Sequence, residues 1–134
     1  LLDFQPAGAG DEAGLTALMN DRHHYEIALR QQEEGRKIIL RRRIGDLQTV
    51  TATAPCPDGS VQLKIISDNR TYRFLYGSEA GPLTELGTGA CRYLSSEVAG
   101  GYTGVYLGLY CTPGSSDRPL QADFDYFDYS EYYE

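Results

Sequence analysis

The chain has 134 residues, and a length of this order indicates one domain with a single hydrophobic core. Hydrophobic residues make up 41% of it and charged residues 23%, so the composition is that of a soluble folded protein, not a disordered or membrane-spanning one. The formal net charge of −7 argues against nucleic acid as a partner, because phosphate binding needs a basic face.

Two-residue alternation of apolar and polar side chains predicts a series of short strands in the first part of the chain. The run at 23–30 shows the pattern most clearly, since its two faces carry different residues. One face has Tyr25, Ile27 and Leu29, and the other has His24, Glu26 and Ala28. Further strands are expected at 12–20, 36–43, 47–54, 61–66 and 72–76, joined by short turns.

The second half of the chain contains one patch without this alternation. Residues 93–98 are expected to form a single helical turn, and a glycine-rich loop at 99–104 follows, where glycine permits positive φ and close backbone approach. Strands are then predicted at 105–110 and 122–129, separated by a polar loop at 112–119. Strands joined by turns at this spacing are typical of an all-β antiparallel sandwich or barrel.

Three cysteines, Cys56, Cys91 and Cys111, match no zinc-binding or CxxC spacing. We expect free, buried thiols that behave as small apolar residues, while a bond between Cys91 and Cys111 stays open. The cysteines therefore do not distinguish a cytoplasmic protein from a secreted one.

Two other groups that resemble sites have simpler structural interpretations. His23 and His24 are adjacent on a predicted strand, so their side chains point to opposite faces and one metal ion would hardly reach both. The basic run 41–43 continues an apolar run and is expected to be a solvated strand end.

The chain ends in alternating acidic and aromatic residues. Asp123 and Asp125 would share one face of the last strand and offer oxygen ligands to calcium, but calcium takes six to eight such ligands. The alternative interpretation is that the aromatic rings pack inward while the acids face water. We therefore expect no cofactor, with calcium at Asp123 and Asp125 as the alternative.

Catalytic motifs are absent from the sequence. No HExxH, P-loop or G-x-S-x-G pattern is present, and no serine has an evident histidine base. A glycosidase needs two carboxylates roughly 5–10 Å apart, and sequence spacing does not establish such a pair here. An enzyme acting through its own carboxylates is thus the least supported hypothesis.

Three stretches of the chain resemble a known family. DEAGLTALMNDRHHYEIAL (11–29), YLSSEVAGGYTGVYLGLYCT (93–112) and ADFDYFDY (122–129) are similar to the C-terminal concanavalin A-like sandwich of family 43 glycoside hydrolases. Those enzymes are mainly β-xylosidases and arabinofuranosidases. The resemblance implies that residues 1–134 are a single jelly-roll β-sandwich, a fragment of a larger glycosidase.

The resemblance also implies a division of labour. In that family an N-terminal five-bladed propeller carries the catalytic carboxylates, so no catalytic residue is assigned to this chain. The sandwich packs against the propeller, and one of its loops approaches the entrance of the active site. The matching loop holds Gly101, Tyr102 and Thr103, with the Tyr102 ring placed against a xylo-oligosaccharide or arabinoside.

The family sandwich normally begins with strands before the match to Leu1, so we expect part of one sheet to be missing. Exposed strand edges invite pairing, so the partners expected for this chain include a second copy bound through these strands. An alternative function is a free-standing lectin-like module. The eleven tyrosines favour it, because aromatic rings stack on sugar faces.

Overall fold

A computed structural model describes residues 1–4, 6, 8–20, 22–67, 70–90, 106–112, 114 and 122–124 of the chain. These residues form ten β-strands, and no helix long and apolar enough to cross a membrane occurs in these ranges. The strands are β1 (Leu2–Phe4), β2 (Glu12–Asn20), β3 (His23–Gln32), β4 (Gly35–Ile44), β5 (Leu47–Pro55), β6 (Val61–Ser67), β7 (Thr71–Ser78), β8 (Thr84–Ala90), β9 (Tyr106–Thr112) and β10 (Ala122–Phe124).

The strands form two antiparallel sheets that pack face to face. The first sheet has the order β10-β1-β6-β7-β8, and the second has the order β5-β4-β3-β2-β9. The hydrophobic core contains residues from both sheets. The prediction of an all-β antiparallel sandwich is therefore confirmed.

Alternation located the long strands within a few residues, because one face of each is apolar and the other polar. Strands β1 and β8 were not predicted. β1 has only three residues, and β8 contains Gly87 and Gly89, which contribute no side chain to the pattern. Of the predicted last strand, Ala122–Phe124 is described as β10. The helical turn predicted at 93–98 lies outside the described residues.

Tyr25 links the two sheets at the centre of the core. It is 1% exposed, and its ring lies 5.5 Å from that of Phe74 and 5.7 Å from that of Tyr72 on the opposite sheet. Its hydroxyl donates a 2.9 Å hydrogen bond to the carbonyl of Ala90. A Cβ at Gly89 would lie 2.4 Å from the Tyr25 ring, so only glycine fits there. Tyr25 and Tyr72 therefore serve core packing, and they are two of the eleven tyrosines.

The second sheet has an outer face that points away from this core. On β3, Tyr25 and Ile27 point inward, so the residues between and beside them point outward. The same alternation on β2 places Glu12 on the outer face while Ala13 enters the core. This outer face carries the candidate site.

Candidate functional site

A polar depression of about 790 Å³ lies on the outer face of the second sheet. Strands β2, β3, β4 and β9 contribute most of its lining, and the segments around Gly10 and Gly114 close one side. Among the described residues, the lining consists of Ala9, Gly10, Glu12, Thr16, Leu18, His24, Glu26, Arg30, Arg41, Gln48, Tyr110, Thr112 and Gly114.

Strand register brings distant charged residues together in this depression. Glu12 of β2 lies opposite Arg30 of β3, and Glu26 of β3 lies opposite Arg41 of β4. On the other side of β2, β9 pairs along its full length and places Tyr110 opposite Gly14. Because side chains on a strand share a face at every second residue, these groups all emerge on the outer face.

Glu12 is the centre of the resulting network, which we call the Glu12 network (Glu12, Glu26, Arg30, Arg41 and Tyr110). Its side chain is 2% exposed. Oε1 accepts hydrogen bonds from Nη1 of Arg30 at 3.1 Å and from Nη1 of Arg41 at 3.0 Å. Oε2 accepts from Nη2 of Arg41 and from the Tyr110 hydroxyl. A buried carboxylate is thus fully bonded, as low-dielectric surroundings require.

Glu26 joins the network through the same two partners. Its Oε2 accepts hydrogen bonds from Nη2 of Arg41 and, at 3.1 Å, from the Tyr110 hydroxyl. Nδ1 of His24 lies 2.6 Å from Oε1 of Glu26, without the alignment of a hydrogen bond. Two carboxylates therefore face two guanidinium groups, and their formal charges cancel.

The network shifts the proton affinities of its members in opposite directions. Burial alone would raise the pKa of Glu26, but the contacts with His24 and Arg41 outweigh it and lower that pKa to about 2. Burial, with the charges of Glu12 and Glu26, raises the pKa of Tyr110 well above its usual range. Hydrogen bonds from Arg41 to both glutamates raise the pKa of Arg41 although burial opposes this. Near neutral pH Glu26 is ionised and cannot act as a general acid. Tyr110 keeps its proton and cannot act as a general base.

Asp11 fixes the rim of the depression. The side chain is fully buried, and its carboxylate accepts hydrogen bonds from the backbone N–H of Gly8 at 2.9 Å and of Gly114 at 2.8 Å. Gly10 lies between them with a φ of 88°, a left-handed conformation that favours glycine. One acid thereby holds two chain segments beside the Glu12 network.

The predicted site residues fall mostly outside the part of the chain that the structure describes. Gly101, Tyr102, Thr103 and Asp125 lie outside it, and for Asp123 only the backbone is described, opposite Asp3 in β1. Within the described ranges, no group of three or more His, Cys, Asp or Glu residues is arranged to hold a metal ion. The loop and calcium assignments stay predictions.

Three sequence-based expectations can be compared with the structure directly. His23 and His24 have separate neighbours, since Nδ1 of His23 lies 3.2 Å from the Asn20 amide oxygen. Cys56 and Cys111 are free thiols. Cys56 is half-buried, and the expectation of burial is wrong for Cys111, which is exposed on β9. Cys91 lies outside the described residues.

The expectation that Arg41 belongs to a solvated strand end is also wrong. Only 11% of its side chain is exposed, because Glu12 and Glu26 lie on the neighbouring strands and bind its guanidinium group. Sequence analysis missed the network as a whole. The available signal was the presence of acidic and basic residues at outward positions of three consecutive strands.

The two pKa shifts predict a pH dependence of stability with two separate limbs. The folded-state pKa of Glu26 is lowered, so its contribution is present above its ordinary value of 4.5 and is lost as the pH falls toward about 2. The folded-state pKa of Tyr110 is raised, so its contribution is present below its ordinary value of 10 and is lost above it. The free energy of unfolding is measured with urea from pH 2 to 11. In Tyr110→Phe its decrease at alkaline pH should become smaller, while its decrease at acid pH should remain. Loss of both limbs, or of neither, would contradict the network.

Residues 1–130 match the protein family described as the beta-xylosidase C-terminal concanavalin A-like domain. The chain belongs to this family. The match confirms the resemblance inferred from the sequence, and the two-sheet fold of this concanavalin A-like domain agrees with it.

Known relatives are several times longer than the concanavalin A-like domain. It is 33% identical over 129 residues to the non-reducing end alpha-L-arabinofuranosidase BoGH43B of Bacteroides ovatus, covering 96% of this chain and 24% of the relative. The solved structure of the GH43 protein BlXynB from Bacillus licheniformis is similar with a TM-score of 0.85 and 26% identity, covering 92% of this chain and 25% of that one. A Bacteroides ovatus structure described as Xyloglucan PUL GH43B has a TM-score of 0.77 and 31% identity, covering 83% and 22%. The chain thus spans about a quarter of the length of these relatives.

Proposed function

We propose that this chain is the non-catalytic accessory domain of a family 43 glycosidase that removes xylose or arabinose units from plant polysaccharide. The observation that carries the proposal is that residues 1–130 match the family model of a C-terminal domain. The relatives that contain this domain are about four times as long as the chain. In the proposed arrangement, residues 1–134 form one domain that packs on a catalytic five-bladed propeller of the same polypeptide.

The chemistry of the described residues supports a non-catalytic role. Glu12 and Glu26 are the two acids among the described residues of the depression, and Arg41 and Tyr110 bind both of them. An inverting or retaining glycosidase needs one carboxyl group that keeps a proton near neutral pH, whereas the pKa of Glu26 is lowered to about 2.

We further propose that the loop with Gly101, Tyr102 and Thr103 reaches the entrance of the propeller's active site. The loop precedes β9 by a few residues, and β9 pairs with β2 through seven consecutive residue pairs. A paired strand gives the end of the loop a fixed anchor. Tyr102 would then supply an aromatic wall to the bound sugar.

This proposal predicts a specific effect of Tyr102 on catalysis by the full-length polypeptide. Tyr102→Ala should lower kcat/KM for nitrophenyl β-xyloside or nitrophenyl α-arabinofuranoside by about tenfold, chiefly through KM, because truncation removes a contact worth roughly 1 to 2 kcal/mol. Tyr102→Phe keeps the ring and should stay within about twofold of the wild type. Steady-state kinetics on both substrates measure the effect.

The outcomes separate the two parts of the proposal. Equal kinetics for the wild type and Tyr102→Ala would remove the loop from the active-site entrance and leave the accessory role intact. Turnover of either substrate by residues 1–134 alone would contradict the accessory role itself.

A further inference from the structure

We propose that the polar depression over the Glu12 network is a binding site for a neutral oligosaccharide. The inference goes beyond the accessory role, since it assigns this chain a ligand of its own. It rests on four features of the described residues: cancelled charge, costly burial, unused hydrogen-bonding groups and size.

The charges of the described lining residues disfavour ionic ligands. Glu12 and Glu26 would repel an anion, and Arg30 and Arg41 would repel a cation. An ionic ligand of either sign would also have to compete with an internal salt bridge for its partner. A neutral ligand meets neither obstacle.

Burying the charged groups of the Glu12 network costs desolvation free energy, which a purely structural role does not explain. Replacing buried ion pairs by well-packed apolar residues is often neutral or stabilising, so stability alone gives little reason for such a network on a sheet face. The surrounding strands show that apolar packing is available, because Ala28 and Ile39 on the same face are fully buried. A polar surface of fixed geometry is what a hydroxyl-rich ligand requires.

Several groups at the rim are available for such a ligand. Arg30 uses Nη1 on Glu12, and 38% of its side chain remains exposed. Gln48 and Thr112 line the depression and are exposed, and their side chains have no hydrogen bond to another described residue. A guanidinium, an amide and a hydroxyl group together offer donors and acceptors side by side, which matches the alternating donor and acceptor character of sugar hydroxyls.

The size of the depression fits a short oligosaccharide. Its volume of about 790 Å³ falls within the range of about 300–1,000 Å³ that is usual for small-molecule sites. The rigidity of the network also favours binding, since Arg41 and Tyr110 hold the floor in place before a ligand arrives.

Affinity electrophoresis and isothermal titration calorimetry test the site on the 134-residue chain, with folding verified by circular dichroism. The probes are xylotetraose, cellotetraose and tetragalacturonate, together with arabinoxylan in the gel. We expect binding of a neutral tetrasaccharide and none of the acidic one. The choice of xylotetraose as a probe rests on the proposed function. Binding of cellotetraose alone would support the site and count against a xylan-degrading enzyme.

Rim variants locate the binding. Those at Gln48 and Thr112 leave every bond of the Glu12 network in place, whereas Arg30→Gln also removes one hydrogen bond of Glu12. Arg30→Gln should weaken binding about tenfold, the loss of one hydrogen bond to a charged donor, while Arg41 still holds Glu12. Gln48→Ala and Thr112→Ala should each weaken it about threefold. The matched control is Thr88→Ala, which removes an exposed strand threonine from the first sheet and should change nothing.

Repeating these variants in the full-length polypeptide keeps the test valid if the short chain folds poorly. The retardation by arabinoxylan should then differ between the wild type and Arg30→Gln. The proposal is overturned if the folded protein binds no neutral oligosaccharide, if tetragalacturonate binds as well as or better than the neutral probes, or if the rim variants bind like Thr88→Ala.

Discussion

Arg41→Met is expected to lower the free energy of unfolding by about 3 to 5 kcal/mol, since it leaves two buried carboxylates without their main partner. Arg41 donates hydrogen bonds to both oxygens of Glu12 and to Oε2 of Glu26. Arg30 would still bind Glu12, but no other arginine bonds Glu26 in the described part of the chain. Methionine retains much of the apolar stem, so the loss measures charge compensation more than packing. Urea unfolding at pH 7 gives the value.

Arg73→Met is the matched control for this experiment. Arg73 forms an ion pair with Glu85 at 2.6 Å, but the two side chains are 48% and 42% exposed. Exposed pairs contribute about 0 to 1 kcal/mol, because water already solvates both charges. A loss for Arg41→Met no larger than for Arg73→Met would show that the Glu12 network is open to solvent.

A combined variant separates unpaired charge from lost packing. Adding Glu12→Gln and Glu26→Gln to Arg41→Met removes both carboxylates, so much of the lost stability should return. The same triple variant should lose affinity for the neutral tetrasaccharide, because the rigid polar floor of the depression has changed. Recovered stability with unchanged binding would place the ligand elsewhere.

The fold was predictable because each long strand has its own hydrophobic face. Tyr25, Ile27 and Leu29 were expected on one face of β3, and all three are in the core. Alternation requires only local sequence, so it works wherever a strand is long enough to display it. It fails for β1, which is too short, and for β8, where glycines interrupt the pattern.

The Glu12 network could not be predicted in the same way, because it depends on strand register. A tight hairpin pairs Asn20 with His23, and continuing that register would put Tyr25 opposite the outward-facing Leu18. A bulge between Leu18 and Asn20 shifts the register by one residue, so Tyr25 lies opposite Ala17 and Glu26 opposite Thr16. Inward-facing residues of β2 thereby lie opposite inward-facing residues of β3, and outward-facing residues lie opposite outward-facing ones.

A second irregularity affects the far side of the network. Between β4 and β5 the register shifts between Leu40 and Arg41, and Thr51 donates a hydrogen bond to the carbonyl of Leu40. Leu40 points into the core, whereas Arg41 turns toward Glu12. Bulges carry no clear sequence signal, so the three-strand contact became visible only in the structure.

Gly14→Ala is expected to cost about 3 kcal/mol of stability, although it adds only one methyl group. A Cβ at Gly14 would lie 2.2 Å from the carbonyl oxygen of Ile27 and 2.6 Å from the Cα of Ala28. Both contacts are with the backbone of β3, which cannot move aside as a flexible side chain can. Strands β2 and β3 would have to separate beside the Glu12 network. Thermal and urea unfolding measure the loss.

Gly108→Ala isolates the steric cause, because Gly108 lies in β9 next to the same strand. Among the described residues, a Cβ there would meet only Cγ2 of Thr16, at the ordinary distance of 3.9 Å. Neither glycine has a left-handed backbone, so the general effect of replacing glycine by alanine is the same at both positions. That effect stabilises by roughly 0.4–1 kcal/mol through the unfolded chain, so Gly108→Ala should be neutral or slightly stabilising. Equal losses of stability for the two variants would mean that the close approach of β2 and β3 at Gly14 does not cause the loss. The claim that tight packing of β2 on β3 supports the depression would then be wrong.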